Sequence, residues 1–560
     1  MNKWGYSLFA AVGACILLWQ LLLPGYVLTL DMVFGPHVQA PVFSGLGAAA
    51  FPRAYLLYLM SFALSGWILQ KIILFSLFFF ALYLPLRFYP FDRRYHAEYF
   101  VALFYAINPF VYERLLAGQW TILYAYVFLF PFAACLVRFY SDMSWRSICQ
   151  AFIWLALIAT LSLHLFAMAV IVLVFFILAV AVRMLLCKEF HVLKTFLYRT
   201  CGILALLCVV SLYWVIPAFV STSHVSVVDT FGAAHWDAFR TAGDTRLGTV
   251  GNVASLYGFW GEHEEWSTYF ASTKQTPWLW LLSGAALAAI VVVGLTGGLR
   301  DRRTRAVVVG IFAVGCAALV FSVGVGDSIF RGLNMWLFEN VGFWRGFRDT
   351  QKWSALLALT YSLLGGLGVT YIARYAEGLR PRRFIVLAVL FVACAFPFLY
   401  TPTLPFGLAG QIHPVMYPAA WAEVNAILKQ DPECKAVFLP WHLYYELEFN
   451  DKHLTANPAS KYFDCTIISS ADAEIGGVGY PSGMSKEYES ISEAMTSNMA
   501  DPEDVIRILT NSDVHYIIFT ADEDYRDTFR YPFLRTSSLK RVIDTPSIAL
   551  YSVMGYDSHH

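Results

Sequence analysis

Long apolar runs recur through the first 400 residues, and they restrict the fold more than any other feature of the chain. A helix needs about 20 apolar residues to cross the hydrocarbon core of a bilayer, so the runs predict a polytopic α-helical membrane protein with about eleven spans. A soluble chain with 58% hydrophobic and 14% charged residues would expose too much apolar surface. The predicted spans are 6–26, 66–86, 97–112, 120–139, 149–163, 164–186, 200–220, 277–298, 306–325, 354–374 and 384–401.

The distribution of Lys and Arg predicts the orientation of these spans. Basic residues such as Arg302, Arg303 and Arg305 concentrate in loops on one side, together with the amino terminus, and that side is expected to be cytoplasmic. An odd number of spans then places the C-terminal residues outside the cytoplasm. The first span lacks a clear small-residue cleavage site and is interpreted as an uncleaved anchor. The shorter apolar piece 51–64 is interpreted as an interfacial or re-entrant helix.

The last third of the chain has the composition of a globular domain. We therefore predict a membrane domain over 1–402 and an extracytoplasmic domain over 403–560, which is long enough to bury its own core. A small α/β or α+β fold is expected, because apolar strand patterns alternate with helical ones. The expected strands are 435–441, 514–519 and 548–553, and the expected helices are 420–429 and 501–510, the latter beginning with the capping sequence Asp501-Pro502-Glu503.

Two of the ten cysteines stand apart from the others. Eight lie in or beside apolar spans, where a free cysteine behaves as a small hydrophobic residue. Cys434 and Cys465 are the only pair in the C-terminal domain, and an oxidising compartment would allow them to form a disulfide. Spacing alone does not show whether their Cα atoms come close enough.

The loop after the first span carries the leading candidate for catalysis, Asp31, followed by His37 as a candidate substrate ligand. A carboxylate just beyond a membrane helix has access to water and still lies near lipid headgroups. It is therefore suited to act as a general base on a substrate delivered by a lipid. The alternative is that this polar residue only marks the edge of the bilayer.

A second outer loop, over 108–120, concentrates polar groups in a compact turn. It contains Glu113 as a second candidate catalytic carboxylate, Arg114 as a candidate phosphate ligand, and Gln119 and Trp120 as candidate substrate ligands. A loop this short keeps Glu113 close to the helix ends, and thus close to the expected position of Asp31. The alternative is a solvated pair of Glu113 and Arg114 at headgroup level.

The long loop 221–276 combines acidic and aromatic residues, and Trp260, Glu262 and His263 are its candidate substrate ligands. The sequence His-Glu-Glu from His263 lacks the two-histidine spacing of a zinc helix, so a metal site is not favoured. Aromatic rings beside carboxylates suit a carbohydrate, because sugars offer apolar faces for stacking and hydroxyls for hydrogen bonds.

A cationic segment, 344–353, precedes a late span and contains Arg345, Arg348 and Lys352. Three cations at the outer face oppose the usual positive-inside distribution. A phosphate group on a lipid would explain them, because Arg provides a bidentate fork and Lys a point charge for phosphate oxygens. The alternative is that Arg348 pairs locally with Asp349 while Lys352 extends to lipid headgroups.

Several classes of function are not favoured by the sequence. Lys and Arg balance Asp and Glu at 39 each, so the charge gives no reason to expect nucleic-acid binding. Neither a phosphate-binding P-loop nor a dinucleotide fingerprint is present. A transporter or flippase of lipid-linked sugars, or a non-catalytic assembly protein, remains an alternative, although neither internal repeats nor mid-membrane charges are evident.

These residues together resemble the GT-C superfamily of membrane glycosyltransferases, with the large bacterial arabinofuranosyltransferase-like members as the nearest group. The matching patches are Asp31 after the first span, Asn108-Pro109-Phe110 leading to Gly118-Gln119-Trp120, and Phe347 through Lys352 before a late span. Relatives often have Glu-Pro where this chain has Asp349-Thr350. The resemblance covers the first 400 residues in architecture and only these short patches in motif.

The resemblance implies a polyprenyl-phosphate-linked sugar as donor, a glycan, glycolipid or protein as acceptor, and a bacterial or archaeal plasma membrane as location. It also implies inversion at the anomeric carbon, with Asp31 as base and Arg345, Arg348 and Lys352 on the departing phosphate. No cofactor is required by this scheme. A divalent cation, Mg²⁺ or Mn²⁺, is left open, with Glu113 and Glu262 as further carboxylates for it. The scheme expects Asp31 and the cationic segment to face one cavity.

Overall fold

The computed structural model describes residues 3–220, 233–263, 274, 276–475, 478–480, 486–496, 501–520 and 531–553. The chain forms two units. The first, or helical unit, comprises Met1–Trp19, Pro41–Tyr55 and Ile73–Gln411. The second, or sheet unit, comprises Gln20–Ala40, Leu56–Ile72 and Ile412–His560. The sheet unit thus includes the loop that carries Asp31 as well as the C-terminal residues.

Helices dominate the chain up to residue 411. They are α1 (Lys3–Leu18), α2 (Phe51–Ser61), α3 (Gly66–Phe88), α4 (Ala97–Ala106), α5 (Pro109–Leu116), α6 (Trp120–Asp142), α7 (Trp145–Leu161), α8 (Leu163–Leu186), α9 (Phe190–Val220), α10 (Ala233–Ala238), α11 (Gly248–Ala254), α12 (Pro277–Arg300), α13 (Arg305–Val323), α14 (Arg331–Asn340), α15 (Ser354–Ala376) and α16 (Arg382–Tyr400). Short 3₁₀ segments cover Gly45–Ala50, Trp260–His263, Gly342–Phe347 and Thr350–Trp353. The apolar piece expected at 51–64 is the helix α2.

Nine helices in the described part of the chain are long and apolar enough to cross a membrane. The expected count of about eleven is therefore not confirmed. The span expected over 97–112 is instead divided between α4 and α5, and the one expected over 149–163 is the 17-residue helix α7, which is shorter than the nine. The remaining nine predicted spans each coincide with one of these helices.

The division between α4 and α5 has a local cause at Asn108. The Asn108 side chain accepts a hydrogen bond from the backbone N–H of Val111 at 3.1 Å and donates one to the carbonyl of Phe104 at 2.9 Å. Pro109 occupies the first turn of α5, where its missing N–H costs no hydrogen bond. One helix therefore ends and another begins inside an apolar run. The segment expected to be a loop is in fact a short helix whose residues are all buried.

Glycines allow the central helix α15 to approach its neighbour α12 closely. A Cβ atom added at Gly368 would lie 2.0 Å from the carbonyl oxygen of Ile290, and one at Gly294 would lie 1.8 Å from that of Leu364. Contact of this kind between backbones is typical of packed membrane helices, where small residues let the axes come together. Most residues of α15 are buried, so this helix forms the core of the helical unit.

The C-terminal residues form a five-stranded mixed sheet with helices, as predicted. Its helices are α17 (Ala419–Leu428), α18 (Lys486–Thr496) and α19 (Pro502–Asn511), and the side chain of Asp501 caps α19 by accepting from the N–H of Glu503. The strands are β1 (Lys435–Leu439), β2 (Tyr444–Tyr445), β3 (Thr455–Ala456), β4 (Thr466–Ile468), β5 (Ala473–Ile475), β6 (Val478–Tyr480), β7 (Tyr516–Thr520), β8 (Leu539–Asp544) and β9 (Ile548–Val553). The main sheet has the order β4-β1-β7-β9-β8.

Parallel pairing joins β4, β1 and β7, and antiparallel pairing joins β7, β9 and β8. Alternate residues of β1 enter two separate apolar cores, with Val437 on one face of the sheet and Phe438 on the other. Cys434 and Cys465 form a disulfide, and their Cα atoms are 5.0 Å apart. The bond joins the beginnings of β1 and β4, next to the paired residues Lys435 and Thr466.

Candidate active site

Arg114 is the centre of a buried polar cluster in the helical unit. Its side chain is fully buried on α5, and its guanidinium binds the carboxylate of Asp349 through two contacts, at 2.6 and 3.0 Å. The side-chain oxygens of Gln119 and Gln351 accept further hydrogen bonds from the same guanidinium. A bidentate Arg–carboxylate pair is geometrically specific, so Arg114 fixes the positions of both flanking segments.

Asp349 also lies near a second cation. The Nζ atom of Lys352 is 3.7 Å from the Asp349 carboxylate, so Arg114 and Lys352 share one carboxylate. Burial alone would raise the pKa of Asp349, but the two cations lower it to about 2. Asp349 is therefore ionised at any physiological pH.

Glu113 and Glu262 form a carboxyl pair beside the Arg114 cluster. The amide of Gln351 donates to Glu113 at 3.3 Å, while Glu262 accepts hydrogen bonds from Lys274 at 2.8 Å, from Asn252 at 3.1 Å and from the N–H of Gly258. Burial raises the pKa of Glu113 well above its usual range, and the neighbouring Glu262 raises it further. Burial also opposes ionisation of Glu262, but Lys274 lowers the pKa of that carboxyl.

We therefore expect the two carboxyls to differ in protonation, with Glu113 neutral and Glu262 ionised. Both lie outside the nine helices of the described residues that are long and apolar enough to cross a membrane. Their partners are a lysine and amides, which is the setting of an ion pair rather than of a metal site, so we assign no metal-dependent step to them. In the described part of the chain, no group of three or more His, Cys, Asp or Glu side chains is arranged to hold a metal ion.

Aromatic rings accompany the remaining candidates in the helical unit. Arg348 lies over the ring of Phe239 at 4.5 Å, and Trp260 meets the same ring edge to face at 5.1 Å. Arg345 is half-buried and donates to the carbonyl of Phe338 at 3.4 Å. The structure thus brings Arg348 and Trp260 to one aromatic ring, a surface of the kind on which a sugar can stack.

Two further predicted ligands have different surroundings. Trp120 faces the guanidinium of Arg53 at 5.5 Å, and Arg53 in turn donates to the carbonyl of Leu161 at 3.0 Å. The side chain of His263 lies outside the described residues, as do 264–273 of the same loop.

Sequence reasoning did not single out Lys274 and His164 as members of this site. Lys274 binds both Glu262 and Asn252 and lies over the ring of Tyr257 at 4.3 Å. A signal was available for it, because Lys274 is a cation in a loop predicted to lie outside, the argument already applied to Lys352. His164, which lies where two closely spaced predicted spans meet, makes a 2.8 Å hydrogen-bonding contact with the carbonyl of Gly346 in the cationic segment.

In the sheet unit, Asp31 occupies the tip of a tight turn. Reciprocal backbone hydrogen bonds between Thr29 and Met32, at 2.7 and 3.2 Å, leave Leu30 and Asp31 as the two turn residues. The Asp31 side chain is exposed and accepts a hydrogen bond from the hydroxyl of Tyr444 at 3.2 Å. His37, farther along the loop, lies 3.2 Å from the carboxylate of Asp464.

No family model and no curated protein matches the sequence. Solved structures do match. Arabinofuranosyltransferase AftD from Mycobacteria shares 14% identity with this chain and superposes with a TM-score of 0.62 over 99% of this chain and 40% of its own. The archaeal oligosaccharyltransferase AglB from Archaeoglobus fulgidus, solved with an inhibitory peptide and a dolichol-phosphate, shares 12% identity, with a TM-score of 0.50 over 92% of this chain and 69% of its own.

Both proteins are membrane glycosyltransferases of the GT-C superfamily. The resemblance predicted from the sequence is confirmed at the level of the fold: the chain has the GT-C fold, followed by a small sheet domain. The chain spans about two fifths of the length of the mycobacterial protein. Together with the nine helices in the described part of the chain that are long and apolar enough to cross a membrane, this fold supports an integral membrane protein.

Proposed function

We propose that the protein is a membrane glycosyltransferase that transfers a sugar from a polyprenyl-phosphate donor to a glycan, lipid or protein acceptor. The observation that carries the proposal is the likeness to arabinofuranosyltransferase AftD, which extends over 99% of this chain with a TM-score of 0.62. The dolichol-phosphate held by the archaeal oligosaccharyltransferase supports a lipid-linked donor. The Cys434–Cys465 disulfide supports an extracytoplasmic sheet unit, because disulfides persist in oxidising compartments.

In the proposed reaction, Asp31 is the general base. An acceptor hydroxyl oxygen attacks the anomeric carbon of the donor sugar and forms the new glycosidic bond. The bond between that carbon and the phosphate oxygen breaks, and its electrons leave with the polyprenyl phosphate. The hydroxyl proton passes to the Asp31 carboxylate. This carboxylate is exposed, so an acceptor that approaches from the aqueous side can reach it. Attack from the face opposite the leaving group inverts the anomeric configuration.

The cationic segment is proposed to bind the donor phosphate. Arg345 and Arg348 are partly exposed and Lys352 keeps 12% of its side chain exposed, whereas Arg114 is fully buried and binds Asp349 through two contacts. We therefore assign direct phosphate contact to the first three and a positioning role to Arg114. Positive groups already in place stabilise the charge that develops on the departing phosphate without reorganisation. Trp260 and the ring of Phe239 are proposed to contact the sugar, with Gln119, Trp120, His37 and Glu262 as supporting polar groups.

The test is a transfer assay with purified protein. The protein is incubated with a panel of polyprenyl-phosphate sugars, including the arabinofuranosyl donor that the AftD likeness suggests, and with glycan acceptors. Release of polyprenyl phosphate together with a lengthened acceptor supports the proposal. A transporter or an assembly protein would release no lipid phosphate, so the absence of release with every donor would contradict it.

The Asp31→Asn variant tests the role of the base. Because a general base contributes roughly 10²–10⁴-fold, we expect transfer to fall by that factor while expression and donor binding remain unchanged. Asp451→Asn is the matched control, since Asp451 is an exposed carboxylate of the same unit with a left-handed backbone that Asn tolerates. Near-normal turnover by Asp31→Asn would remove Asp31 from the mechanism.

A further inference from the structure

The loop that carries Asp31 pairs through its backbone with C-terminal residues of the sheet unit. β2 and β3 form a two-stranded antiparallel ladder in which Tyr444 pairs with Ala456. Leu30 lies beside β3 in a parallel bridge with Thr455, and the N–H of Ala456 donates to the carbonyl of Leu30 at 2.8 Å. Leu30 is therefore a third member of this ladder, and its pairing fixes the backbone position from which the Asp31 side chain extends.

Contacts on both flanks restrict the same loop. On the amino-terminal side, Tyr26 and Val415 exchange backbone hydrogen bonds at 2.7 and 2.8 Å. On the other side, the hydroxyl of Tyr417 donates to the carbonyl of Phe34 at 2.8 Å. The backbone at Gly35 approaches so closely that an added Cβ would lie 2.1 Å from the carbonyl oxygen of Lys461.

The side chain of Tyr444 then reaches the carboxylate itself. Its hydroxyl lies 3.2 Å from one oxygen of Asp31, and its backbone is paired with the strand next to Leu30. A hydroxyl that donates to one carboxylate oxygen fixes the rotation of the carboxylate. The other oxygen then has a defined direction, which a general base needs because its proton acceptor must lie within hydrogen-bonding reach of the substrate.

We propose that C-terminal residues of the sheet unit are part of the catalytic apparatus. In this proposal Tyr444 is the positioning residue that orients Asp31, and β3 is the strand that holds the loop of Asp31. This inference rests on the proposed function, in which Asp31 is the base. It assigns the C-terminal residues a role in turnover, beyond that of an appended domain. A displacement of about 1 Å in a catalytic group can cost a factor of 10² in rate, so a defined carboxylate orientation has a measurable consequence.

Tyr444→Phe tests the positioning role, since it removes only the hydroxyl. We expect kcat to fall by about 10- to 10²-fold with the KM for the donor unchanged. The acidic limb of the pH–rate profile should also move to higher pH, because a donated hydrogen bond favours the ionised carboxylate. Tyr375→Phe is the control, since Tyr375 is 77% exposed in the helical unit. Unchanged kcat together with an unchanged profile in Tyr444→Phe would overturn the proposal.

Ala456→Pro tests the attachment of the loop without reference to activity. Proline lacks the N–H that binds Leu30, so hydrogen exchange of the amides over 28–37 should accelerate, whereas Ala456→Ser keeps the N–H and should leave exchange unchanged. Unchanged exchange in Ala456→Pro would overturn the attachment. If exchange accelerated in Ala456→Pro but the wild-type protein transferred no sugar, the attachment of the loop would stand. The proposed function would be overturned, and with it the positioning role of Tyr444.

Discussion

Two charged sites in this molecule are built in opposite ways. Arg114 and Asp349 are buried and joined by two contacts, and they come from segments 235 residues apart. Asp31 is exposed, lies at the tip of a two-residue turn and is held mainly through the backbone around it. All three residues looked alike in the sequence, as charged residues near the ends of apolar runs.

The difference separates two kinds of contribution. A buried ion pair cannot release one partner without leaving an uncompensated charge in a low-dielectric setting, so Arg114 and Asp349 stabilise the arrangement of α5 and the cationic segment. An exposed carboxylate can exchange its proton with water and meet a substrate, as a base requires. Burial therefore distinguishes the residues that organise the proposed site from Asp31, the residue proposed to act on the acceptor.

Replacing Arg114 by Ala should produce the largest loss of stability. Removing one partner of a buried pair costs about 3–5 kcal/mol, because the Asp349 carboxylate stays buried with only the more distant Lys352, at 3.7 Å, to compensate it. Thermal and denaturant unfolding of the purified protein in detergent measure this loss. Asp31→Asn should leave the unfolding midpoint almost unchanged, because substitutions at exposed positions usually stay within about 0.5 kcal/mol.

The control for Arg114→Ala is Arg541→Ala. Arg541 pairs with Asp544 in β8, and both side chains are about half exposed, so loss of this pair should cost less than about 1 kcal/mol. If Arg114→Ala unfolded at the wild-type midpoint, the buried pair would contribute no more to stability than the exposed Asp31. Burial would then not explain a difference between the two sites.

Loss of the partly exposed cations should weaken donor binding, and Lys352→Ala should also lower stability because Lys352 lies 3.7 Å from the buried Asp349 carboxylate. Lys352→Ala and Arg348→Ala each remove a charged hydrogen-bond donor, worth about 1.5–3 kcal/mol, so we expect the Kd for the polyprenyl-phosphate donor to rise by about 10- to 10²-fold. Binding is measured with a non-transferable donor analogue. Lys452→Ala, at an exposed lysine of the sheet unit, is the control. Unchanged donor affinity in both variants would remove the cationic segment from the phosphate site.

The elements that depend on local pattern were predictable from the sequence. Among the described residues, the nine helices that could cross a membrane follow from the length of their apolar runs, and α19 follows from the cap at Asp501 and the proline after it. The strands β1, β7 and β9 also fall within or beside the predicted ranges, because each is a short apolar run bounded by turn residues.

The features that the sequence did not predict depend on side-chain contacts, which a hydropathy pattern does not contain. The run over 97–112 is apolar enough for a span, but the side chain of Asn108 caps a new helix inside it. Burial of Arg114 depends on Asp349, a partner that no local pattern identifies. The pairing of Leu30 with Thr455 is equally remote in sequence, so the sequence named Asp31 without indicating what holds it.

The carboxyl pair provides the smallest and most specific test, because one member is neutral. Glu113→Gln resembles the protonated acid, so its stability should match that of the wild type at acidic pH and exceed it near neutral pH. Since the folded pKa of Glu113 is raised above its usual value of 4.5, the wild-type protein loses stability as the pH rises from there through the folded pKa. Glu113→Gln should lack this loss, giving a flatter dependence of the unfolding midpoint on pH.

Glu262→Gln is the contrasting variant. It removes the ionised partner of Lys274. Because the folded pKa of Glu262 is lowered, this ion pair stabilises the wild type above the usual carboxyl pKa, and the stabilisation is lost as the pH falls through the folded pKa. Its unfolding midpoint should therefore fall at neutral pH, where the midpoint of Glu113→Gln should rise. If both variants lowered the unfolding midpoint equally at neutral pH, both carboxyls would be ionised in the wild type. That result would contradict the raised pKa of Glu113.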